Sequence, residues 1–135
     1  MPKSKVLFLG LGRMGFHMST HLSKSKNIEL FIYNRSKKKE NDWLNVNKAK
    51  KFDFKNLVNL KFDIIITCLK DDHSINQVTN NLLKSSCFHK NTIFIDHSTI
   101  SLSQVEKLNK LLKKNKIKFL DAPVTGGEEG AKNGK

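Results

Sequence analysis

Apolar and polar positions along the chain alternate between two periods. Residues 5–9 (KVLFL) form a short apolar run that stops at a glycine, which is how a strand buried on both faces reads. Met14, Met18 and Leu22 then recur at spacing four and predict a helix with one face on a sheet, ending in the polar stretch 23–27. A second strand is predicted over 28–33 (IELFIY). Ser36 is placed to cap a lysine-rich helix running toward Leu44. The middle of the chain predicts a short third strand over 51–54 and a helical turn over 56–60. A continuous β-branched run at 63–69 (DIIITCL) predicts a strand covered on both faces. Asp71 or Asp72 opens a helix through Leu83, 91–96 (NTIFID) is the next strand, and Ser101 opens a helix with Val105, Leu108, Leu111 and Leu112 on its apolar stripe. A last strand is predicted over 117–122. Strands alternating with helices imply right-handed crossovers, hence an α/β fold: a Rossmann-type, doubly wound, mainly parallel sheet with ligands at the carboxyl ends of its strands.

Composition changes this picture little. A length of 135 residues, with 38% hydrophobic and 27% charged residues, suits one folded domain. Charge is lopsided, at +13. Arg13 and Arg35 are the only arginines, however, so the excess is almost all lysine. Recognition of bases and phosphates favours the arginine fork, and no nucleic-acid partner is expected. No apolar run approaches the roughly 20 residues of a membrane helix, so no membrane partner is expected and a cytoplasmic address follows. Cys68 and Cys87 form no CxxC pair, the five histidines show no ligand spacing, and no metal site is expected.

Glycine is positional. The seven glycines fall at Gly10, Gly12 and Gly15 and again at Gly126, Gly127, Gly130 and Gly134. The first group, with Leu11, Arg13 and Met14 between, fits GxGxxG directly after a strand and directly before a helix. That arrangement aims backbone N–H groups and the positive helix end at a pyrophosphate. An ordinary tight strand-to-helix turn is the alternative. Where a dinucleotide site usually presents an acidic residue to the ribose 2′-hydroxyl, the chain has Asn34, Arg35 and Ser36, then Lys37 to Lys39. A carboxylate would repel a 2′-phosphate, whereas these groups can hydrogen-bond it. NADP(H) is therefore the preferred cofactor, with NAD(H) possible. The lysine run also fits a solvated first helical turn.

Three segments in order resemble the β-hydroxyacid dehydrogenases, the family of 3-hydroxyisobutyrate dehydrogenase, tartronate semialdehyde reductase and glyoxylate/succinic semialdehyde reductase. They are 8–18 (FLGLGRMGFHM) with Leu22 after it, 95–100 (IDHSTI) and 121–134 (DAPVTGGEEGAKNG). The resemblance implies an NAD(P)-dependent oxidoreductase that transfers a hydride between the cofactor and a small β-hydroxy acid or semialdehyde. It implies that Gly10 to Gly15 hold the pyrophosphate, that Leu69 and Lys70 line the cofactor, and that Thr99 sits by the nicotinamide. Thr125, Gly126 and Gly127 would hold the carboxylate of a small carboxylic-acid substrate.

Two residues depart from the family pattern. Thr125 stands where the family usually has Ser, which keeps the hydroxyl and narrows the pocket. Lys70 stands where Pro is common. The family's general-acid lysine lies beyond the last motif, at the start of a helical second domain that carries the dimer contacts. Residues 1–135 thus read as the cofactor domain, ending within the substrate-binding segment. Lys132 and Lys135 come too early for the acid role, so no catalytic residue is assigned. A homo-oligomer is expected only with the helical domain supplied. The alternative function is a non-catalytic NADP(H)-binding or interaction module.

Overall fold

The fold was taken from a computed structural model, which describes residues 2–55 and 60–135. The element order is β1 (Ser4–Leu9), α1 (Arg13–Ser23), β2 (Ile28–Tyr33), α2 (Lys37–Val46), β3 (Lys50–Lys51), β4 (Phe62–Thr67), α3 (Asp72–Lys84), β5 (Phe88–Asp96), α4 (Leu102–Lys114), β6 (Lys118–Asp121) and α5 (Gly127–Asn133). The strands pair in the order β3-β2-β1-β4-β5-β6, every pair parallel. The strand order reverses between β1 and β4, so the ligand crevice of such a sheet lies above the carboxyl ends of these two strands.

Side-chain alternation divides the core into two layers. Val6 and Phe8 of β1 join Leu30, Ile32, Ile66 and the fully buried Trp43 on one face, beneath α1 and α2. Leu7 and Leu9 point the other way, into Ile65, Ile75, Leu82, Leu108 and Leu112 beneath α3 and α4. The indole N–H of Trp43 donates to the Phe16 carbonyl at 3.2 Å and so ties α2 to α1. Ser36, Asp71 and Ser101 cap α2, α3 and α4 by accepting from the backbone N–H groups of Lys39, Ser74 and Gln104.

The differences from the sequence expectation have local causes. The third strand shrinks to Lys50–Lys51 because Phe52 and Phe54 turn into an edge-to-face aromatic group with Tyr33 and Phe62. Most of the helical turn predicted over 56–60 falls on residues 56–59, outside the described residues. β4 ends at Thr67 rather than at residue 69. Cys68 still donates to the Leu9 carbonyl at 2.9 Å, but the Leu69 N–H leaves the sheet for the Ser98 hydroxyl at 2.8 Å. β5 starts at Phe88 instead of 91, with a register shift opposite Phe62 that the Thr92 hydroxyl spans by donating to the Phe62 carbonyl. β6 covers 118–121 instead of 117–122. Helix α5, unforeseen in the sequence, packs on α1. The His17 ring lies 3.6 Å from Glu128, and His21 Nε2 donates to the Ala131 and Lys132 carbonyls at 2.9 and 3.1 Å.

Candidate functional site

The glycine loop leaves β1 at Gly10, whose φ of +110° favours glycine. Its N–H donates to the Tyr33 carbonyl at 3.0 Å, and a Cβ there would overlap the Cys68 carbonyl. Gly10 is thus wedged between the ends of β2 and β4. Gly15 fits as closely, because a Cβ would overlap the Gly10 carbonyl oxygen. Gly12 differs from both: a Cβ built on it would meet no atom within 4 Å. Gly12 is also the N-cap of α1 and supplies no side-chain cap, and the first turn of α1 carries no acidic residue. The start of α1 is therefore open beside Gly12 and has no acidic residue of its own, which suits an anion.

A cleft of about 300 Å³ begins at this loop. Gly10, Gly12, Asn34, Arg35, Ser36, Leu69 and Lys70 all line it, so the structure brings together most of the predicted cofactor residues. Asn34 also braces the cleft from within. Its Oδ1 accepts from the Leu11 N–H at 2.9 Å and its Nδ2 donates to the Ser36 carbonyl at 3.2 Å, bracing the end of β2 against the glycine loop. The Leu11 side chain is buried in the core. Arg13 is exposed and lies 3.9 Å from Glu128. Met14 lines a second, largely apolar cavity of about 460 Å³ between α1 and α5, together with Thr125, Val124 and His97. Gly126 and Gly127 follow Thr125 with φ of +103° and +62°. Thr99 is exposed in the loop after β5 and lines neither space.

The structure separates the three lysines after Ser36 and adds a wall that the sequence did not indicate. Lys37 lies 3.1 Å from Glu40 and Lys38 lies 2.9 Å from Asp42, so both ammonium groups are paired. Lys39 lines the cleft with Arg35, and among the described residues neither cation makes an ion pair or a side-chain hydrogen bond. The i,i+3 and i,i+4 spacing of these acidic residues was the available signal. The buried Glu40 carboxylate also accepts from the Asn34 N–H at 2.9 Å, holding the end of β2. The opposite wall comes from one face of α3, with Ser74, Gln77, Val78 and Asn81 at helical spacing.

Beneath the cleft Asp96 is fully buried. Its Oδ1 accepts from the Thr67 hydroxyl at 2.8 Å and the Ser98 N–H at 3.0 Å, while Oδ2 has no partner among the described residues. Burial pushes this carboxyl above the ordinary carboxylate range, helped by the negative charge of Asp121 and opposed by the bonds from Ser98 and Thr67. The folded chain then holds the Asp96 proton more tightly than the unfolded chain, so ionisation removes stability as pH rises above about 4. Asp96→Asn should be more stable than the parent at pH 7, with the gap closing as pH falls toward 4 in urea titrations. A gap independent of pH would show that Asp96 is not held by burial. Burial also pushes the Cys68 and Cys87 thiols up to about 11, leaving both protonated at neutral pH.

A parallel sheet in this order, with a glycine loop leading into an uncapped helix, defines a dinucleotide-binding Rossmann domain. The family described as the NAD binding domain of 6-phosphogluconate dehydrogenase matches residues 5–135. The chain belongs to that family. It is 35% identical over 134 residues to an oxidoreductase of Shewanella frigidimarina, covering 97% of this chain and 45% of that protein. It is 34% identical over 124 residues to the mitochondrial 3-hydroxyisobutyrate dehydrogenase of Drosophila melanogaster, covering 92% and 37%. The Mycobacterium tuberculosis 3-hydroxyisobutyrate dehydrogenase, solved with L-serine, superposes with a TM-score of 0.84 at 26% identity, covering 97% of this chain and 44% of that one. The chain thus spans less than half the length of these relatives and corresponds to their amino-terminal domain. Among the described residues, no helix is long and apolar enough to cross a membrane.

Proposed function

We propose that the chain binds NADP(H) in preference to NAD(H), as the cofactor-binding part of an oxidoreductase of the 3-hydroxyisobutyrate dehydrogenase type acting in the cytoplasm. The open space over Gly12 and the uncapped start of α1 fit a pyrophosphate. One observation carries the preference. Arg35 and Lys39 line the cleft without a carboxylate partner among the described residues, while Lys37 and Lys38 are neutralised by Glu40 and Asp42. Two free cations beside the Ser36 hydroxyl suit a phosphate dianion on the ribose.

The nicotinamide cofactor supplies the hydride-transfer chemistry when bound. The chain's own residues do the rest. The first turn of α1 and Gly12 orient the pyrophosphate, α3 walls the cleft opposite Arg35, and Leu69 and Lys70 line it. Thr125, Gly126 and Gly127 offer a hydroxyl and backbone N–H groups to the carboxylate of a small β-hydroxy acid or semialdehyde. In calorimetric titrations, NADPH should bind at one site at least tenfold more tightly than NADH. No saturable binding of either would overturn the reading, and equal affinity would remove the preference.

A further inference from the structure

Consecutive residues of an extended segment point to opposite faces, and Asp96, the last residue of β5, and His97 directly after it use this to hold two different loops. On one side, Asp96 joins Thr67 and Ser98, and the Ser98 hydroxyl accepts from the Leu69 N–H at 2.8 Å. That arm holds the loop after β4, which lines the cofactor cleft. On the other side, the His97 ring lies over the end of β6, with Nδ1 2.7 Å from the Ala122 carbonyl oxygen. A carbonyl oxygen only accepts, so Nδ1 carries the proton and donates. The Ala122 N–H in turn donates to the Asp96 carbonyl at 2.9 Å. The same imidazole lines the cavity that Met14, Val124 and Thr125 share.

We propose that His97 is a positioning residue for the segment Val124 to Gly127. Its Nδ1–H grips the Ala122 carbonyl and fixes where the Thr125 hydroxyl and the two glycines stand relative to the cofactor loops. Among the described residues, few bonds anchor this segment otherwise. It leaves β6 through Pro123, which has no N–H, and passes through left-handed Gly126 into α5, whose first residue, Gly127, is itself at positive φ. A neutral aromatic ring at 97 would fill the space without making the bond. An Asn side chain carries an N–H donor close to where the Nδ1–H of histidine stands, so the two replacements separate packing from hydrogen bonding. The functional meaning of this grip rests on the substrate-segment reading given above.

The test is nuclear magnetic resonance of the whole ¹⁵N-labelled chain beside its His97→Phe and His97→Asn variants. At neutral pH the His97 ring should show the Nδ1–H tautomer. In His97→Phe the Ala122 amide should exchange five- to tenfold faster, as loss of one hydrogen bond implies. Order parameters of the amides at 124–127 should fall from about 0.85 toward 0.6. His97→Asn should keep both near parental values. The Leu69 amide and the NADPH affinity should change less than twofold in either variant. A dominant Nε2–H tautomer, or a Phe variant matching the parent at Ala122 and 124–127, would overturn the proposal. So would an Asn variant as loose as the Phe variant, or loosening spread evenly over the chain. If the unmodified chain fails to bind NADPH, the functional reading falls, while these spectra still decide the role of His97.

Discussion

Gly12→Val should lose at least about 100-fold in affinity for NADPH and for NADH alike, equivalent to about 2.8 kcal/mol, while the chain stays folded. In the free chain the added side chain enters empty space, since a Cβ on Gly12 meets nothing within 4 Å. Its φ of −76° is open to any residue, and a poor N-cap costs α1 only about 1 kcal/mol. With a dinucleotide present, that same space is where the pyrophosphate must come within hydrogen-bonding distance of the first-turn N–H groups. Charge-assisted bonds of this kind contribute about 1.5–3 kcal/mol each, and a valine forfeits more than one. Gly10 and Gly15 are poorer probes. Substitution at either collides with backbone in the free chain, so lost binding there would report a broken loop. Titrations followed by NADPH fluorescence, with circular dichroism as the control for folding, check the expectation. Unchanged affinity would remove the glycine loop from the site.

Arg35→Asp should weaken NADPH by about 30- to 100-fold and NADH by less than about threefold, the larger loss being one charge-assisted bond made or missed. Arg35 leaves β2 directly into the cleft beside Ser36 and Lys39 and has no carboxylate partner among the described residues. An aspartate in its place removes a donor and adds a charge that repels a 2′-phosphate while accepting from a 2′-hydroxyl. Because Arg35 is exposed, the discrimination should shrink as salt is raised. Equal losses for both cofactors would refute a role at the 2′-position, and a matching loss in Lys39→Asp would support the shared site.

Much of the fold was legible because a doubly wound sheet writes its pattern locally. The alternation of Val6 and Phe8 with Leu7 and Leu9 already splits β1 between two covered faces, and the run of isoleucines in β4 can hardly be anything but a buried strand. Misreadings arose where long-range bonds decide. Leu69 looks like strand continuation in the sequence, yet its N–H is taken by Ser98, 29 residues away. Helix α5 has no apolar periodicity to announce it; Ala131 is its one buried residue, and contacts from His17 and His21 of α1 hold it in place.

The site shows the same division. GxGxxG and Arg35 could be read directly, because their chemistry follows from residue type and position after a strand. The bracing role of Asn34 could not, since its side chain turns back to the Leu11 N–H, a partner no spacing rule names. Lys39 stands apart from its two neighbours because Glu40 and Asp42 pair with Lys37 and Lys38, a distinction that the i,i+3 and i,i+4 spacing carries in the sequence. The α3 wall and His97 needed the fold, because they approach the site from elements distant in the chain.

The central claim is that the cleft from Gly10 to Asn81 receives a phosphorylated nicotinamide dinucleotide. Amide resonances followed while NADPH is added to the unmodified chain test it most directly. The largest shifts should fall on Gly10 to Gly15, on Arg35 to Lys39 and on Ser74 to Asn81, with AMP carrying a 2′-phosphate reproducing those at Arg35 to Lys39. Shifts confined to the cavity between α1 and α5, or the same pattern for AMP with and without the 2′-phosphate, would contradict it.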